Sequence, residues 1–160
     1  MIALLLLFLQ AAVTPQIDRG QALFLDSSKG CAACHQLKGK GTTVGPDLTN
    51  IGRLQPTAIA TAARSTVTQY VQRVQLRNGT AFPGMPAAGG PNTQFFDVSK
   101  RPPELRNLDK AEISTITGND LWKHPPAAAK ISNDDLAAII AWIRYAATGS
   151  KQPVDPADAQ

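Results

Sequence analysis

The sequence contains few of the side chains that most often bind metals or perform catalysis. Its 160 residues include two cysteines, two histidines and two methionines. A closed zinc site needs four ligands, so here it would have to recruit carboxylates to be complete. A Ser-His-Asp set and a recognisable pair of catalytic carboxylates are both missing. The sequence therefore does not indicate a hydrolytic enzyme, and we expect a protein that is not an enzyme.

Long apolar and long basic runs are also missing. The formal net charge is only +4, and without a basic run or an aromatic-basic motif we expect no binding to nucleic acid. The apolar run over residues 2–13 is shorter than the roughly 20 residues that span a bilayer. It predicts a signal peptide over residues 1–14, with a buried N-terminal helix as the alternative. After cleavage we expect no association with the membrane.

The pentapeptide from Cys31 to His35, Cys-Ala-Ala-Cys-His, has the spacing of a c-type haem attachment motif. Thiols at Cys31 and Cys34 can add to the two vinyl groups of one porphyrin, and His35 can then reach the iron as the proximal ligand. A thioredoxin-type redox pair or half of a zinc site are the alternatives, but no βαβ pattern surrounds the motif. We therefore predict one covalent haem c. Because such haem is normally attached outside the cytoplasm, we expect a periplasmic or otherwise exported protein.

Helical patterns lie on both sides of the chain's centre. A first helix is predicted over residues 17–29, ending at the Cys-x-x-Cys-His motif, and a short helix over 56–64, which begins with a proline. Ser132 can cap a last helix, whose apolar residues recur at helical spacing at Leu136, Ile139, Ile140, Ile143 and Ala147.

Residues 69–117 differ from their surroundings and predict a small β-unit. Asn78-Gly79 predicts a hairpin turn with positive φ at both residues, between strands over 70–76 and 80–82. Further strand patterns occur at 93–98, 104–108 and 111–116.

These patterns together predict a mainly α fold with an inserted β-unit, α+β overall. The helical domain would span residues 15–148 and carry the insert over 69–117. The polar, proline-containing residues 149–160 are predicted to form a disordered tail.

Several segments resemble class I c-type cytochromes. The segment from Gly20 to Phe24 is similar to the family's first helix, which implies that the glycine lets the last helix cross closely and the phenylalanine packs behind the haem. Trp142 stands where the family commonly has an aromatic residue at that crossing. The segment from Gly45 to Leu48 resembles the family's G-P-x-L sequence. That resemblance implies that the carbonyl of Pro46 accepts a hydrogen bond from Nδ1–H of His35.

A closer resemblance, over residues 18–147, is to small bacterial haem-binding domains that carry a β-insert before the last helix. The segments 74–79 and 108–113, together with Gly84, carry it. Such domains often end large predicted secreted dehydrogenases. The resemblance implies an electron-transfer subunit or module as one alternative, with a dehydrogenase or another cytochrome as the redox partner.

The sixth iron ligand is where this sequence departs from that subgroup. The subgroup has a Met-Pro pair shortly before the last helix, and this chain has His124-Pro125 at the matching place. Met85 also precedes a proline, but the alignment implies that it lies in the return strand of the hairpin, away from the iron. We therefore favour His124 as the ligand, with Met85 as the alternative and an open or lysine-ligated iron as a third case.

These features predict an electron carrier, in which the protein supplies ligands, an apolar pocket and one exposed haem edge. A haem enzyme, such as a peroxidase-like haem, or a gas sensor would need a displaceable sixth ligand, and both stay open as alternatives. Basic residues predominate around the haem motif, where they can steer an acidic redox partner or simply form a solvated surface. They are Arg19, Lys29, Lys38, Lys40 and Arg53, against Asp26 and Asp47.

Overall fold

The computed structural model describes residues 14–27, 30–65, 70–119, 122–124 and 130–160. Residues 1–13 of the predicted signal peptide lie outside the described residues. No helix in the described part of the chain is long and apolar enough to cross a membrane.

Proline and hydroxyl residues set where the helices begin. Thr14 caps α1 by accepting a hydrogen bond from the backbone N–H of Ile17, and Ser132 caps α4 by accepting one from that of Asp135. Gly149, with φ +76°, ends α4 in the left-handed conformation that favours glycine. The helices are α1 (Pro15–Leu25), α2 (Cys31–Cys34), α3 (Pro56–Arg64) and α4 (Asn133–Thr148). Helix α1 thus ends four residues before the predicted position.

Helices α1 and α4 cross with their backbones in close contact. A Cβ atom on Gly20 would overlap the carbonyl oxygen of Ala138 and lie 2.9 Å from the Cβ of Trp142. Around this crossing Phe24 and Ile140 are fully buried. The close approach that the resemblance implied for Gly20 is therefore present, and it creates the helical core.

The β-unit is a five-stranded antiparallel sheet in the order β6-β5-β4-β3-β7. Its strands are β3 (Gln72–Leu76), β4 (Ala81–Pro86), β5 (Gln94–Asp97), β6 (Glu104–Asn107) and β7 (Ile113–Gly118), and a separate two-residue pair joins β1 (Gln36–Leu37) to β2 (Lys40–Gly41). The fold is α+β. The narrower description, mainly α, is not confirmed, because a full sheet stands beside the helices.

The hairpin turn between β3 and β4 differs from the prediction. Gly79 has φ +89°, whereas Asn78 is not among the residues with positive φ, so a two-residue turn with two left-handed residues is wrong. The loop has three residues, 77–79, and Leu76 N–H donates to the carbonyl of Thr80. The Asn78 side chain accounts for the difference, because its Oδ1 accepts hydrogen bonds from both the N–H and the hydroxyl of Thr80.

The C-terminal residues are ordered, so the prediction of a disordered tail over 149–160 is wrong. Val154 and Ala159 are buried, with 2% and 0% of their surface exposed. Gln16 of α1 donates a side-chain hydrogen bond to the carbonyl of Val154 and accepts one from its N–H, at 2.8 and 3.0 Å. Residues 156–159 form a 3-10 turn that contacts α3 and α4. The burial of two apolar side chains and the hydrogen bonds of one glutamine therefore hold the largely polar residues 149–160 against the helices.

The crossing of α1 and α4 yields a stability prediction. The substitution Gly20→Ala adds a Cβ against the α4 backbone, which cannot give way as a flexible side chain would. We expect the free energy of unfolding to fall by roughly 2 kcal/mol, measured by denaturant titration. Ala22→Ser, which adds one atom at an exposed position of the same helix, is the matched control. Equal stability of the two variants would contradict the prediction.

Candidate functional site

A cavity of about 510 Å³ lies between the helices and the sheet. Its volume falls within the range of roughly 300–1,000 Å³ that is typical of small-molecule sites. Most of the lining is apolar, and Phe24, Ile59 and Ile140 are fully buried core residues that also face it. Both cysteines and both histidines of the chain line the same cavity.

The Cys-x-x-Cys-His motif folds as a single helical turn at the cavity wall. Gly30, with φ +75°, reverses the chain just before α2, and the N–H of His35 donates to the carbonyl of Cys31 to close the turn. Since residues three apart share a helix face, Cys31 and Cys34 both line the cavity. Burial raises the pKa of the Cys34 thiol, and the nearby Arg101 guanidinium opposes that rise.

His35 is oriented by the loop that follows the motif. Its Nδ1 lies 2.8 Å from the carbonyl oxygen of Pro46, and because a carbonyl only accepts, Nδ1–H is the donor and Nε2 keeps its lone pair. Gly45 leaves room for the ring, since a Cβ there would lie 2.9 Å from Cε1 of His35. Burial lowers the pKa of His35, the Pro46 hydrogen bond raises it, and the neighbouring His124 lowers it further. The main effect, burial, favours the neutral imidazole, which is the form that binds metals.

His124 is held in the same manner on the opposite side. Its Nδ1 lies 2.9 Å from the carbonyl oxygen of Ala63, so this ring also donates through Nδ1–H, and Nε2 is the nitrogen that the neutral ring could offer to a metal. The ring centroids of His35 and His124 are 6.0 Å apart, and the ring planes are inclined by 67°. Trp122 lies beside His124, with 6.4 Å between their ring centroids, and also lines the cavity.

The spacing of the two imidazoles can be compared with what one shared metal would require. Imidazole nitrogens bind metals at about 2 Å, so two rings that share one metal must lie several ångströms apart with no side chain between them. The ring centroids lie 6.0 Å apart, a separation of that order, and both Nδ1 atoms are already committed to backbone carbonyls. The donor set is therefore suited to a haem whose vinyl groups are reached by Cys31 and Cys34.

The sheet also forms part of the cavity wall. Met85 lies in the return strand β4, as expected, but the cavity reaches it. Phe82 packs in the sheet's own core, and a Cβ on Gly84 would meet Val74 and Phe95 of that core, so Met85, one residue further on, belongs to the opposite face. Met85 can therefore belong to β4 and still line the cavity. Other insert residues at the cavity are Tyr70, Val71, Val98, Arg101 and Pro103.

Some site features have no signal in the sequence. The carbonyl of Ala63 is a backbone atom that any residue could supply, and it becomes visible only when α3 and residue 124 are placed together. The approach of Arg101 to Cys34 also depends on how the insert folds back. The position of Met85, in contrast, follows from strand alternation and could have been predicted.

Comparison with known proteins agrees with this site. The family model for cytochrome c matches residues 17–118, which is more than half of the chain. The chain belongs to the cytochrome c family, and this family implies covalently bound haem c and haem-based electron transfer. No curated protein matches the sequence significantly. The matched region includes the Cys-x-x-Cys-His motif and Met85, and it ends before His124.

The packing of Gly45 against His35 leads to a second prediction. In Gly45→Ala the added Cβ must displace the imidazole and break its hydrogen bond to Pro46. We expect a loss of about 1 kcal/mol in the free energy of unfolding and a higher midpoint potential, since a less basic imidazole stabilises Fe(III) less. Thermal melts and redox titration measure both. Gly90→Ala, whose Cβ would meet the flexible side chain of Gln94, is the control. Unchanged potential in Gly45→Ala would contradict the prediction.

Proposed function

We propose that the protein is an exported monohaem cytochrome that carries single electrons between partner proteins, with His35 and His124 as the axial ligands. The observation that carries this proposal is the pair of neighbouring imidazoles, with ring centroids 6.0 Å apart and each Nδ1 bonded to a backbone carbonyl. Two imidazole ligands leave no coordination position for a substrate, which favours a carrier over an enzyme.

Each residue of the site then has a definite task. Cys31 and Cys34 attach the porphyrin, and haem supplies a one-electron Fe(III)/Fe(II) couple when it is bound. The hydrogen bonds of His35 to Pro46 and of His124 to Ala63 fix both ring orientations and raise the basicity of the nitrogens that face the iron. The apolar lining keeps water from the iron and thereby limits side reactions.

Export and the partner belong to the same proposal. The apolar run over residues 2–13 supports export, as does the attachment of c-type haem outside the cytoplasm. Lys38 and Arg53 are exposed, and Arg101 is exposed at the cavity beside Cys34. This charge supports an acidic redox partner, a secreted dehydrogenase or another cytochrome.

A haem enzyme or gas sensor is the second candidate, because Met85 lines the same cavity and offers a competing ligand for the iron. The two functions differ in their response to carbon monoxide. A six-coordinate carrier should barely change its reduced spectrum when the gas is added, whereas a displaceable sixth ligand should give way to it.

Covalent attachment provides the first prediction from this proposal. Haem should stay with the polypeptide after acid-acetone extraction, and the mass of the extracted chain should show one haem. In the double variant Cys31→Ala/Cys34→Ala, any haem should be removed by the same extraction, because no thioether can form. Haem that leaves the unaltered protein would refute covalent attachment.

The second prediction concerns the sixth ligand. His124→Met should retain haem and raise the midpoint potential, because thioether ligation stabilises Fe(II). The visible, near-infrared and electron paramagnetic resonance spectra should change from bis-imidazole to imidazole-thioether ligation. Met85→Leu, the matched control, should change neither spectrum nor potential. If the unaltered protein instead shows thioether ligation that Met85→Leu abolishes, Met85 is the ligand and the assignment of His124 is wrong.

A further inference from the structure

The end of helix α3 supplies the hydrogen-bond acceptor of His124. Ala63 lies in the last turn of this helix, where carbonyl groups have no intrahelical N–H to accept from. Its oxygen accepts from Nδ1–H of His124 at 2.9 Å, across 61 residues of sequence. The orientation of His124 therefore depends on whatever fixes the end of α3.

Arg64, the last residue of α3, ties this end to two other segments. Its Nε and Nη2 donate to the carbonyl of Ala159 at 3.1 and 2.9 Å. Its Nη2 also donates to the side-chain oxygen of Asn133 at 2.7 Å and lies 3.4 Å from the carbonyl of Ile131. One half-buried guanidinium thus joins the end of α3, the beginning of α4 and the C-terminal turn.

The segments that receive these bonds are themselves fixed. Ala159 is fully buried, and Gln16 of α1 clamps both backbone groups of Val154 just before it. Ile131 is buried and lines the cavity. Arg64 is therefore anchored to the folded core, and its fork geometry restricts the rotation of the α3 end.

We propose that Arg64 is a positioning residue for the distal iron ligand. By fixing the Ala63 carbonyl, it holds the imidazole of His124 with Nε2 available to the iron. The inference rests on the proposed function, in which His124 is that ligand. It predicts an asymmetric effect, because His35 is oriented separately by Pro46. Loss of Arg64 should loosen His124 and leave His35 and both thioether bonds intact.

The test compares carbon monoxide binding to the reduced holoproteins. Arg64→Ala should bind the gas about 10–100-fold faster than the unaltered protein, the size of effect usual when a group that orients a metal ligand is removed. Haem content should not change. Arg73→Ala removes the same charge from an exposed residue of β3 that bonds to Gln75, and it should bind the gas as the unaltered protein does. An Arg64→Ala rate equal to that of Arg73→Ala would overturn the proposal.

Two further variants separate positioning from a general loss of structure. In His124→Ala the gas no longer competes with His124 for the iron. Adding Arg64→Ala to this variant should therefore not raise the binding rate further. A rise as large as the one in the unaltered background would overturn the proposal. Arg64→Lys keeps the charge, but one ammonium group cannot reproduce the fork, so its rate should lie between those of the unaltered protein and Arg64→Ala. Full restoration by lysine would overturn the proposal that the guanidinium fork fixes the end of α3.

A third variant applies if Arg64→Ala yields no haem protein. Deletion of residues 156–160 removes the Ala159 acceptor of Arg64 and leaves the acceptors at Asn133 and Ile131. This deletion should also accelerate carbon monoxide binding. An unchanged rate would refute the proposal. The proposed function fails separately, if His124→Met leaves the spectrum of the unaltered protein unchanged. If that spectrum does change and Arg64→Ala still binds the gas slowly, only the role of Arg64 is refuted.

Discussion

The close approach of α4 to its neighbours is the constraint on which the rest of the structure depends. Gly20 of α1 lies against the backbone at Ala138, and Gly52 lies against α4 one to two turns further on, where a Cβ would lie 2.6 Å from the carbonyl oxygen of Ile143. Both contacts require the absence of a side chain. They hold the apolar face of α4 in place, and Ile140 and Ile143 of that face line the cavity. Two glycines that do not line the cavity therefore fix the position of one of its walls.

Much of this architecture could be predicted from local chemistry. The caps at Ser132 and Gly149 and the period of the apolar residues define α4 within one residue, and strand patterns locate the five strands of the sheet. The Asn78 turn was predicted in the right place with the wrong conformation, because propensity for a left-handed residue competes with a side-chain hydrogen bond to Thr80. The ordered tail was missed because its stability comes from Gln16, 138 residues away from Val154.

The site shows the same division between local and distant signals. The spacing of the motif was enough to predict the roles of Cys31, Cys34 and His35. The hydrogen bond to Pro46 followed from a four-residue resemblance. The hydrogen-bond acceptor of His124 could not be predicted. It is the backbone carbonyl of an alanine, and every residue type has the same carbonyl. Met85 lies in the return strand as predicted, and it nevertheless lines the cavity for a simple reason. A strand has two faces, and β4 turns one to its own core and the other to the cavity.

The two sides of the cavity also differ in how they are built. The hydrogen bond that orients His35 spans only 11 residues, so this side of the cavity depends mainly on the loop after α2. His124 depends on the end of α3, 61 residues away, and Arg64 reaches a further 95 residues to Ala159. Contacts that belong to one hydrogen-bond network are energetically coupled, so removing one of them weakens the others. Under the proposed ligation, a change in the supports of His124 would weaken that ligand and leave His35 and the covalent attachment in place. Under that ligation, the strength of one ligand, and with it the potential, could vary without loss of the haem.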